Sequence, residues 1–313
     1  MEMNEELATE TVEKIAQSRT YGDYHVHSMY SVDARGTVDE IVMTAKQKGL
    51  SEIAITDHGP ASTVACRRKH YPHIRALVDK ASEDHGIKVF MGIEANVLGR
   101  HGKIDIREED LNKFDIVLCG IHRFLKPGSF WCFFTFLLPN WFWYMLHWCP
   151  KGRRRKNTET MKRVIEQNNI DIWTHPNEYF RLDVLEVAKV CVERGTLIEL
   201  NDSRITFRPI DFERMRALGC KFVINSDAHR AKNIGRHENA LKFLSLCEYT
   251  DEDIINFTGP FRRGDGKYLE RVIETNEQEE QKPEKKSKAE RKAEKKLAKE
   301  EAARMKIVMN KQD

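Results

Sequence analysis

Short apolar runs alternate with helix-like stretches from residue 22 to about residue 246. The seven runs typical of strands are residues 22–27, 52–56, 87–93, 114–121, 170–174, 196–200 and 221–225. The helical patterns between them cover residues 37–48, 63–85, 157–168, 182–194 and 209–218. Apolar strands joined by helical crossovers form parallel sheets that helices cover on the outside. Seven such units without a glycine-rich nucleotide motif predict an α/β fold, and favour a closed or distorted barrel over a doubly wound sheet.

The chain is long enough to hold segments besides this barrel. Of its 313 residues, we assign 1–20 to a polar N-terminal segment, 21–276 to the barrel domain and 277–313 to a tail. The tail is rich in Lys and Glu and has few large apolar residues. That composition is typical of a solvated helix or of disorder. An apolar segment at residues 124–149 interrupts the barrel pattern as an insertion.

Charge and cysteine content restrict the setting of the protein. The formal net charge of +3 gives no overall reason to expect a nucleic-acid partner. The 7 cysteines form an odd number without a CxxC pair, which indicates reduced thiols rather than disulfides or a structural zinc site. The first residues are polar and acidic, unlike a signal peptide. We therefore expect a cytoplasmic protein.

Polar side chains with metal-binding atoms follow six of the seven predicted strands. Six of the 12 histidines fall there, together with Asp and Glu residues. The carboxyl ends of the strands in a barrel meet at one mouth, where so many polar groups would remain unsatisfied unless cations lay between them. The pattern predicts nine metal ligands, namely His25, His27, Asp33, His58, Glu94, His122, His175, Asp227 and His229.

The number of these ligands indicates more than one ion. Nine ligands exceed the needs of a single tetrahedral ion, whereas two or three divalent ions that share a carboxylate fit the count. Glu94 is the natural bridge, because it is a lone glutamate among histidines. Mixed nitrogen and oxygen donors suit zinc, manganese or iron alike. Asp57 is predicted to orient the neighbouring imidazole of His58, so Glu94 and Asp57 are the two carboxylates expected to take part in catalysis.

The order of these motifs resembles that of the PHP family, named for bacterial DNA polymerases and histidinol phosphatases. The resemblance covers roughly residues 20–260 and rests on HVH with Asp33, TDHG, GIEANV, GIH, THP and SDAH. It implies a distorted (β/α)7 TIM-like barrel with a trinuclear metal site at the strand ends that hydrolyses phosphate esters. It implies that all nine positions are ligands, although some members carry histidine where this chain has Asp33. The spacing of these motifs resembles that of the stand-alone, phosphatase-like branch of the family.

The residues and the resemblance lead to the same reaction. Adjacent divalent ions would supply a bridging hydroxide at neutral pH, which would attack phosphorus while the metals neutralise the phosphoryl charge. An arginine would help to hold the phosphate, and the candidates are Arg204, Arg123 and Arg230. The main prediction is a metal-dependent phosphomonoesterase that acts on a phosphorylated small molecule. Only the family name suggests histidinol phosphate, because no pocket residue selects that substrate.

Two other functions stay open at this point. A phosphodiesterase or nuclease would use the basic run RRRK at 153–156 to contact phosphates, but no aromatic residues for base stacking are interleaved in that run. A binding or scaffolding protein, which is the alternative without catalysis, would recruit a partner through its helical tail. The complete set of ligands argues against this last alternative.

The insertion at 124–149 holds four of the 5 tryptophans and six of the 15 phenylalanines. Pro139 and Asn140 interrupt it, and both its flanks belong to one barrel, which disfavours a membrane-spanning helix. One interpretation is a buried lid or a self-association surface, since large apolar patches mark contacts. The other is a hairpin in the membrane interface, because tryptophan favours that depth and the basic residues 151–156 would meet anionic head groups. Such a hairpin would also present a lipid-like phosphate ester to the metals.

Overall fold

The computed structural model describes residues 20–122 and 124–264. Its seven strands pair in sequential order, and every neighbouring pair is parallel. The strands are β1 (Gly22–Val26), β2 (Glu52–Ile55), β3 (Lys88–Asn96), β4 (Ile116–Gly120), β5 (Ile172–Trp173), β6 (Leu197–Asn201) and β7 (Phe222–Asn225). This order confirms the predicted barrel. The predicted tail at 277–313 and nearly all of the predicted N-terminal segment lie outside the described residues.

Helices follow most of the strands and cover the sheet. Those described are α1 (Val38–Gln47), α2 (Tyr71–His85), α3 (Glu108–Leu111), α4 (Phe130–Cys132), α5 (Leu138–Met145), α6 (Lys151–Gln167), α7 (Val184–Arg194), α8 (Pro209–Ala217), α9 (Glu238–Leu244) and α10 (Ile255–Thr258). A π-helical turn, Phe133–Leu137, joins α4 to α5, and short 3₁₀ turns occupy Arg68–His70, Ala231–Asn233 and Asp251–Asp253. None of the helices in this part of the chain is long and apolar enough to cross a bilayer.

Two helix boundaries differ from the sequence prediction. The pattern at 63–85 predicts one helix, but α2 begins only at Tyr71, where Pro72 occupies a position in the first turn that tolerates a missing N–H. The helix predicted at 157–168 begins earlier in the structure, since α6 starts at Lys151. The basic run 153–156 therefore lies in the first turns of a helix rather than in a loop. Proline and the helical propensity of the first residues determine where these two helices begin. The spacing of apolar residues contains no information on either.

The insertion forms a helical stretch from 130 to 145 rather than a hairpin. Only Phe136, Leu137 and Asn140 are buried within it, whereas most of its aromatic side chains are exposed. The buried-lid interpretation is therefore wrong for the single chain, because a lid would cover these side chains. The described structure contains one chain, so self-association and membrane contact stay predictions.

The barrel interior is filled by an apolar layer at the amino-terminal half of the strands. One cluster of buried side chains draws on all seven strands and on none of the helices that cross between them, so it lies inside the sheet. Its members are Tyr24, Ala54, Phe90, Ile116, Leu118, Ile172, Leu197, Val223, Ile255 and Phe261. A larger apolar cluster fills the space between the strands and the surrounding helices. Two residues further along β6 and β7, at Glu199 and Asn225, the interior becomes polar.

The seam between β1 and β7 is closed largely by side chains. Near the mouth, the backbone N–H of His27 donates to Ala228 O (2.9 Å). At the opposite end, the amide of Asn256 donates to Gly22 O (2.7 Å) and to Ile224 O (2.8 Å), and it accepts from the Ile224 N–H (2.7 Å). Asn256 thus supplies backbone partners that a β ladder would otherwise provide.

Asn256→Ala should lower the free energy of unfolding by about 2–4 kcal/mol, because three buried backbone and side-chain hydrogen bonds lose their partner. Urea titration followed by circular dichroism measures this change. Asn112→Ala, at an exposed position after α3, is the matched control and should change stability by less than about 0.5 kcal/mol. Equal stability of the two variants would show that Asn256 does not hold the seam.

Candidate metal centre

A bulge in β1 turns two histidines into the barrel. The pairing of β1 with β2 shifts register between Asp23 and Val26, and a bulge places two consecutive side chains on one face. Tyr24 therefore belongs to the interior apolar layer while the next residue, His25, also faces inward. The Nε2 atoms of His25 and His27 lie 3.2 Å apart. The predicted side-by-side placement of the HVH histidines is confirmed, and the bulge explains how Tyr24 shares their side of the strand.

Glu94 lies at the centre of the site. It projects from inside β3, two residues before the strand ends, and its side chain is 1% exposed. Its Oε1 lies 2.8 Å from His175 Nε2, 3.1 Å from His122 Nε2 and 3.4 Å from His25 Nε2. Its Oε2 lies 2.7 Å from His58 Nδ1. A single carboxylate thus contacts one imidazole inside β1 and three that follow β2, β4 and β5.

The remaining predicted ligands surround this centre. Asp227 Oδ1 lies 3.3 Å from His27 Nε2 and 3.6 Å from His229 Nδ1. Asp33 Oδ2 lies 3.4 Å from His58 Nε2 and 3.5 Å from His229 Nε2. The structure therefore brings all nine predicted ligands into one continuous network of side chains.

Three groups within this network have donor atoms close enough to hold an ion. Within each group the donor atoms lie within 4.8 Å of one another. The groups are His25 with His27 and Glu94, His58 with Glu94 and His122, and His27 with His58 and His229. Glu94, His27 and His58 each belong to two of these groups, and Glu94 is the carboxylate among their members, which suits it to bridge.

Buried atoms without hydrogen bonds indicate that the site suits cations. Among the described residues, His122 Nδ1 is buried without a hydrogen-bond partner, and His58 Nδ1 meets Glu94 Oε2 at 2.7 Å without hydrogen-bond geometry. Such groups are costly unless something satisfies them. His25 presents Nδ1 to Glu199 Oε1 at 2.7 Å, which leaves Nε2 directed at Glu94. A carboxylate behind one ring nitrogen is the usual way to orient a metal-binding histidine.

The pKa values of the site residues also indicate that the site suits cations. Burial opposes charge on His58, but Glu94 and Asp33 outweigh it and raise its pKa to about 10. His175 behaves likewise, since Glu94 overcomes burial and raises its pKa to about 9. His27 differs, because burial and the neighbouring His58 lower its pKa to about 3. The imidazoles hold the pKa of Glu94 well below its usual range against the effect of burial. Positive charge is therefore strongly favoured around an ionised Glu94.

Glu199 is a site residue that the sequence analysis missed. Its Oε2 accepts from the backbone N–H of His175 at 2.8 Å, and its Oε1 accepts from Asn225 Nδ2 at 2.9 Å besides contacting His25. His175 has a φ of 29°, in the left-handed region that costs a non-glycine residue about 1–3 kcal/mol. Glu199 helps to stabilise that backbone. The sequence signal for Glu199 was a charged residue inside the apolar run TLIEL. It lies two positions after Leu197 and therefore faces the same side of the strand.

Asp57 lies behind the site, but its hydrogen bonds go to Ser28 and Ser31 rather than to the His58 imidazole that it was predicted to orient. Its carboxylate accepts from the Ser28 N–H (2.8 Å), the Ser28 hydroxyl (2.6 Å) and the Ser31 hydroxyl (2.7 Å). Burial raises its pKa despite these bonds. The Ser31 hydroxyl also accepts from the His58 N–H at 3.0 Å. Asp57 therefore acts on His58 through Ser31 and the loop rather than by touching the imidazole.

The predicted phosphate-binding arginines occupy different places. Arg204 is 60% exposed, and its guanidinium lies 3.3 Å from Glu178 Oε1, a side chain on the wall of the cleft. Arg230 is exposed directly after His229. Arg123 lies outside the described residues. Among the described residues that line the cleft, none is Lys or Arg.

The ligands open into a cleft of about 250 Å³ at the mouth of the barrel. Thr63 and Val64 lie on one wall, and Phe124 and Tyr179 also line it. Gly120 lies beneath His175, where a Cβ would come within 2.5 Å of the imidazole Cε1. Only glycine leaves room for this ring. The cleft can admit a small phosphate group together with part of its ester.

Comparison with known proteins identifies relatives. The model of the PHP domain family matches residues 23–203, a range that holds seven of the nine predicted ligands. A probable phosphatase of Shewanella sp. strain ANA-3 is 30% identical over 243 residues, covering 75% of this chain and 86% of that protein. A probable phosphatase of Thermoanaerobacter sp. strain X514 is 28% identical over 243 residues, covering 75% of this chain and 89% of that protein.

A solved structure is also similar. The histidinol phosphate phosphatase of Lactococcus lactis, complexed with zinc, L-histidinol and phosphate, aligns with a TM-score of 0.46 at 16% identity. The alignment covers 74% of this chain and 95% of that protein.

Glu94→Gln should reduce the bound divalent metal by more than one ion per chain, because the side chain belongs to two donor groups. Elemental analysis of protein purified without chelator measures the stoichiometry. Glu159→Gln, at an exposed position on α6, is the matched control and should retain the wild-type metal content. Loss of one ion or none in the Glu94 variant would contradict the bridging arrangement.

Glu199→Gln should weaken metal binding by roughly 10–100-fold, because the carboxylate orients His25 and stabilises the backbone of His175. Competition with a fluorescent chelator measures the affinity, and Glu186→Gln on the exposed face of α7 serves as control. Unchanged affinity in a folded Glu199 variant would limit this residue to a structural role.

Proposed function

Because the chain belongs to the PHP family, we propose that it is a metal-dependent phosphatase that hydrolyses phosphate monoesters of small molecules. The observation that carries this proposal is the position of Glu94, which joins two groups of metal-binding side chains at the floor of an open cleft. The relatives named probable phosphatases support a phosphate ester as the substrate.

The nine predicted ligands would hold two or three divalent ions, with Glu94 shared between two of them. When bound, these ions would neutralise the phosphoryl oxygens and acidify a water molecule that can act as nucleophile. Zinc, manganese and iron all suit this mixture of imidazoles and carboxylates. The protein's own contribution is to fix the ligands, through Glu199 behind His25 and Asp57 behind the His58 loop.

Substrate binding would combine the ions with side chains at the rim of the cleft. The lining residues described include no Lys or Arg, so a dianionic phosphate needs the ions or an arginine from outside the lining. Arg204 is the first candidate for this role, since its exposed guanidinium contacts the cleft residue Glu178. Arg123 and Arg230 follow His122 and His229 in the sequence and are further candidates. Phe124 and Tyr179 offer an apolar contact for the alcohol part of the ester.

The purified protein should hydrolyse p-nitrophenyl phosphate, lose this activity with a chelator and regain it with zinc or manganese. His122→Ala should lower the rate by roughly 100-fold, because it removes a donor beside Glu94. His101→Ala, an exposed histidine outside the site, should leave the rate within about twofold of wild type. Equal activity of the two histidine variants would contradict the assigned site.

The phosphodiesterase alternative is tested in the same assay with bis(p-nitrophenyl) phosphate. The proposal predicts that the monoester is cleaved faster than the diester. Faster cleavage of the diester would favour a phosphodiesterase or nuclease, and no hydrolysis of either ester by metal-loaded protein would favour a binding role.

A further inference from the structure

The insertion exposes a large aromatic surface next to the mouth of the barrel. Beyond Phe124, six of its Trp and Phe side chains are between 43% and 72% exposed, including Trp131 at 72% and Phe130 at 70%. We call these six the aromatic face: Phe130, Trp131, Phe134, Trp141, Phe142 and Trp148. A monomeric protein seldom leaves so many large apolar groups in water unless they meet a partner.

The aromatic face is held outward by a docked inner side of the same segment. Phe136 is buried and packs edge-on against Phe180, with ring centroids 5.7 Å apart. The buried Asn140 accepts a hydrogen bond from Asn157 Nδ2 at 2.8 Å, which ties α5 to α6. One side of the segment is thus fixed on the barrel. The exposure of the other side follows from this docking rather than from a failure to pack.

Charge distinguishes this region from the rest of the chain. From residue 116 to residue 158 the sequence contains no Asp or Glu but seven Lys and Arg residues. Arg153 donates to Thr135 O at 3.0 Å, which joins the start of α6 to the insertion. The nearby Lys151, Arg155 and Lys156 are exposed. Aromatic and basic groups therefore adjoin each other, and no carboxylate of this stretch neutralises them.

We propose that the aromatic face and the start of α6 form a docking surface for an anionic lipid bilayer. Tryptophan and phenylalanine favour the interfacial depth of a membrane, and basic residues beside them are attracted to anionic head groups. A second copy of the chain fits less well, because a two-fold contact uses the same surface on both partners and would bring basic residues near their own copies.

Docking at this surface would bring the catalytic cleft to the membrane. Phe124 lines the cleft and is itself 59% exposed at the start of the insertion. Tyr144 of α5 lies 6.3 Å from Tyr179, whose ring is 6.1 Å from His122. The docking surface and the metal centre are therefore linked by adjoining aromatic rings. The docking proposal itself does not depend on the proposed phosphatase activity.

Sedimentation with vesicles tests the proposal directly. The full-length protein should pellet with vesicles that contain phosphatidylcholine and about one third phosphatidylglycerol, and much less with phosphatidylcholine alone. Salt at roughly 1 M, where the Debye length is about 3 Å, should weaken the binding. The double variant Phe130→Ser/Trp131→Ser should bind at least about tenfold more weakly, because two interfacial anchors are lost. Leu246→Ser, at a residue outside the insertion that is 69% exposed, should bind like wild type.

Thermal unfolding of each variant verifies that it is folded, independently of any enzymatic activity. Equal sedimentation with and without anionic vesicles would overturn the proposal, as would undiminished binding of the folded double variant. Concentration-dependent dimerisation that the same double variant abolishes, without vesicle binding by wild type, would assign the aromatic face to a second copy of the chain instead.

Discussion

The buried carboxylate of Glu94 is the constraint on which the site depends. An ionised carboxylate removed from water costs several kcal/mol unless positive charge is placed beside it. The chain meets this need with four imidazoles from β1 and from the ends of β2, β4 and β5. These are His25, His58, His122 and His175, each with a ring nitrogen within 3.4 Å of the carboxylate. The same convergence that compensates Glu94 creates overlapping groups of donor atoms. Compensation of one buried charge therefore also gathers the donor atoms that a metal centre would need.

The apolar core and the charged site residues occupy different halves of the barrel interior. The amino-terminal half of the interior is apolar and closed below by Phe261, whose ring lies 4.7 Å from that of Tyr24. The carboxyl-terminal half holds the charged residues, which favour cations but contribute little apolar burial. Asn256 closes the β1–β7 seam at the apolar end, far along the strands from the mouth. Backbone positions with positive φ, such as Asp227 at 52°, lie at the carboxyl-terminal end of the strands, above the packed apolar half.

Much of this arrangement was predictable from the sequence, because parallel strands bring their carboxyl ends together whatever their exact boundaries. The seven strands and the convergence of the nine predicted ligands followed from this rule. Glu199 was not predicted because it lies inside β6 rather than at the end of the strand. Alternate residues of a strand face the same side, so Glu199 shares the inward side of Leu197. The inward turn of both Tyr24 and His25 depends on a bulge that no local pattern marks. The insertion's helical form also escaped prediction, since its apolar residues have no clear period.

The central claim is that Glu94 bridges two ions inside the mouth of the barrel. A crystal structure of metal-loaded protein, with anomalous data collected at the edge of the bound metal, tests this most directly. The account predicts at least two anomalous peaks, one about 2.0–2.2 Å from Glu94 Oε1 and another at a similar distance from Oε2. A single peak, or peaks that contact Glu94 through one oxygen only, would contradict it.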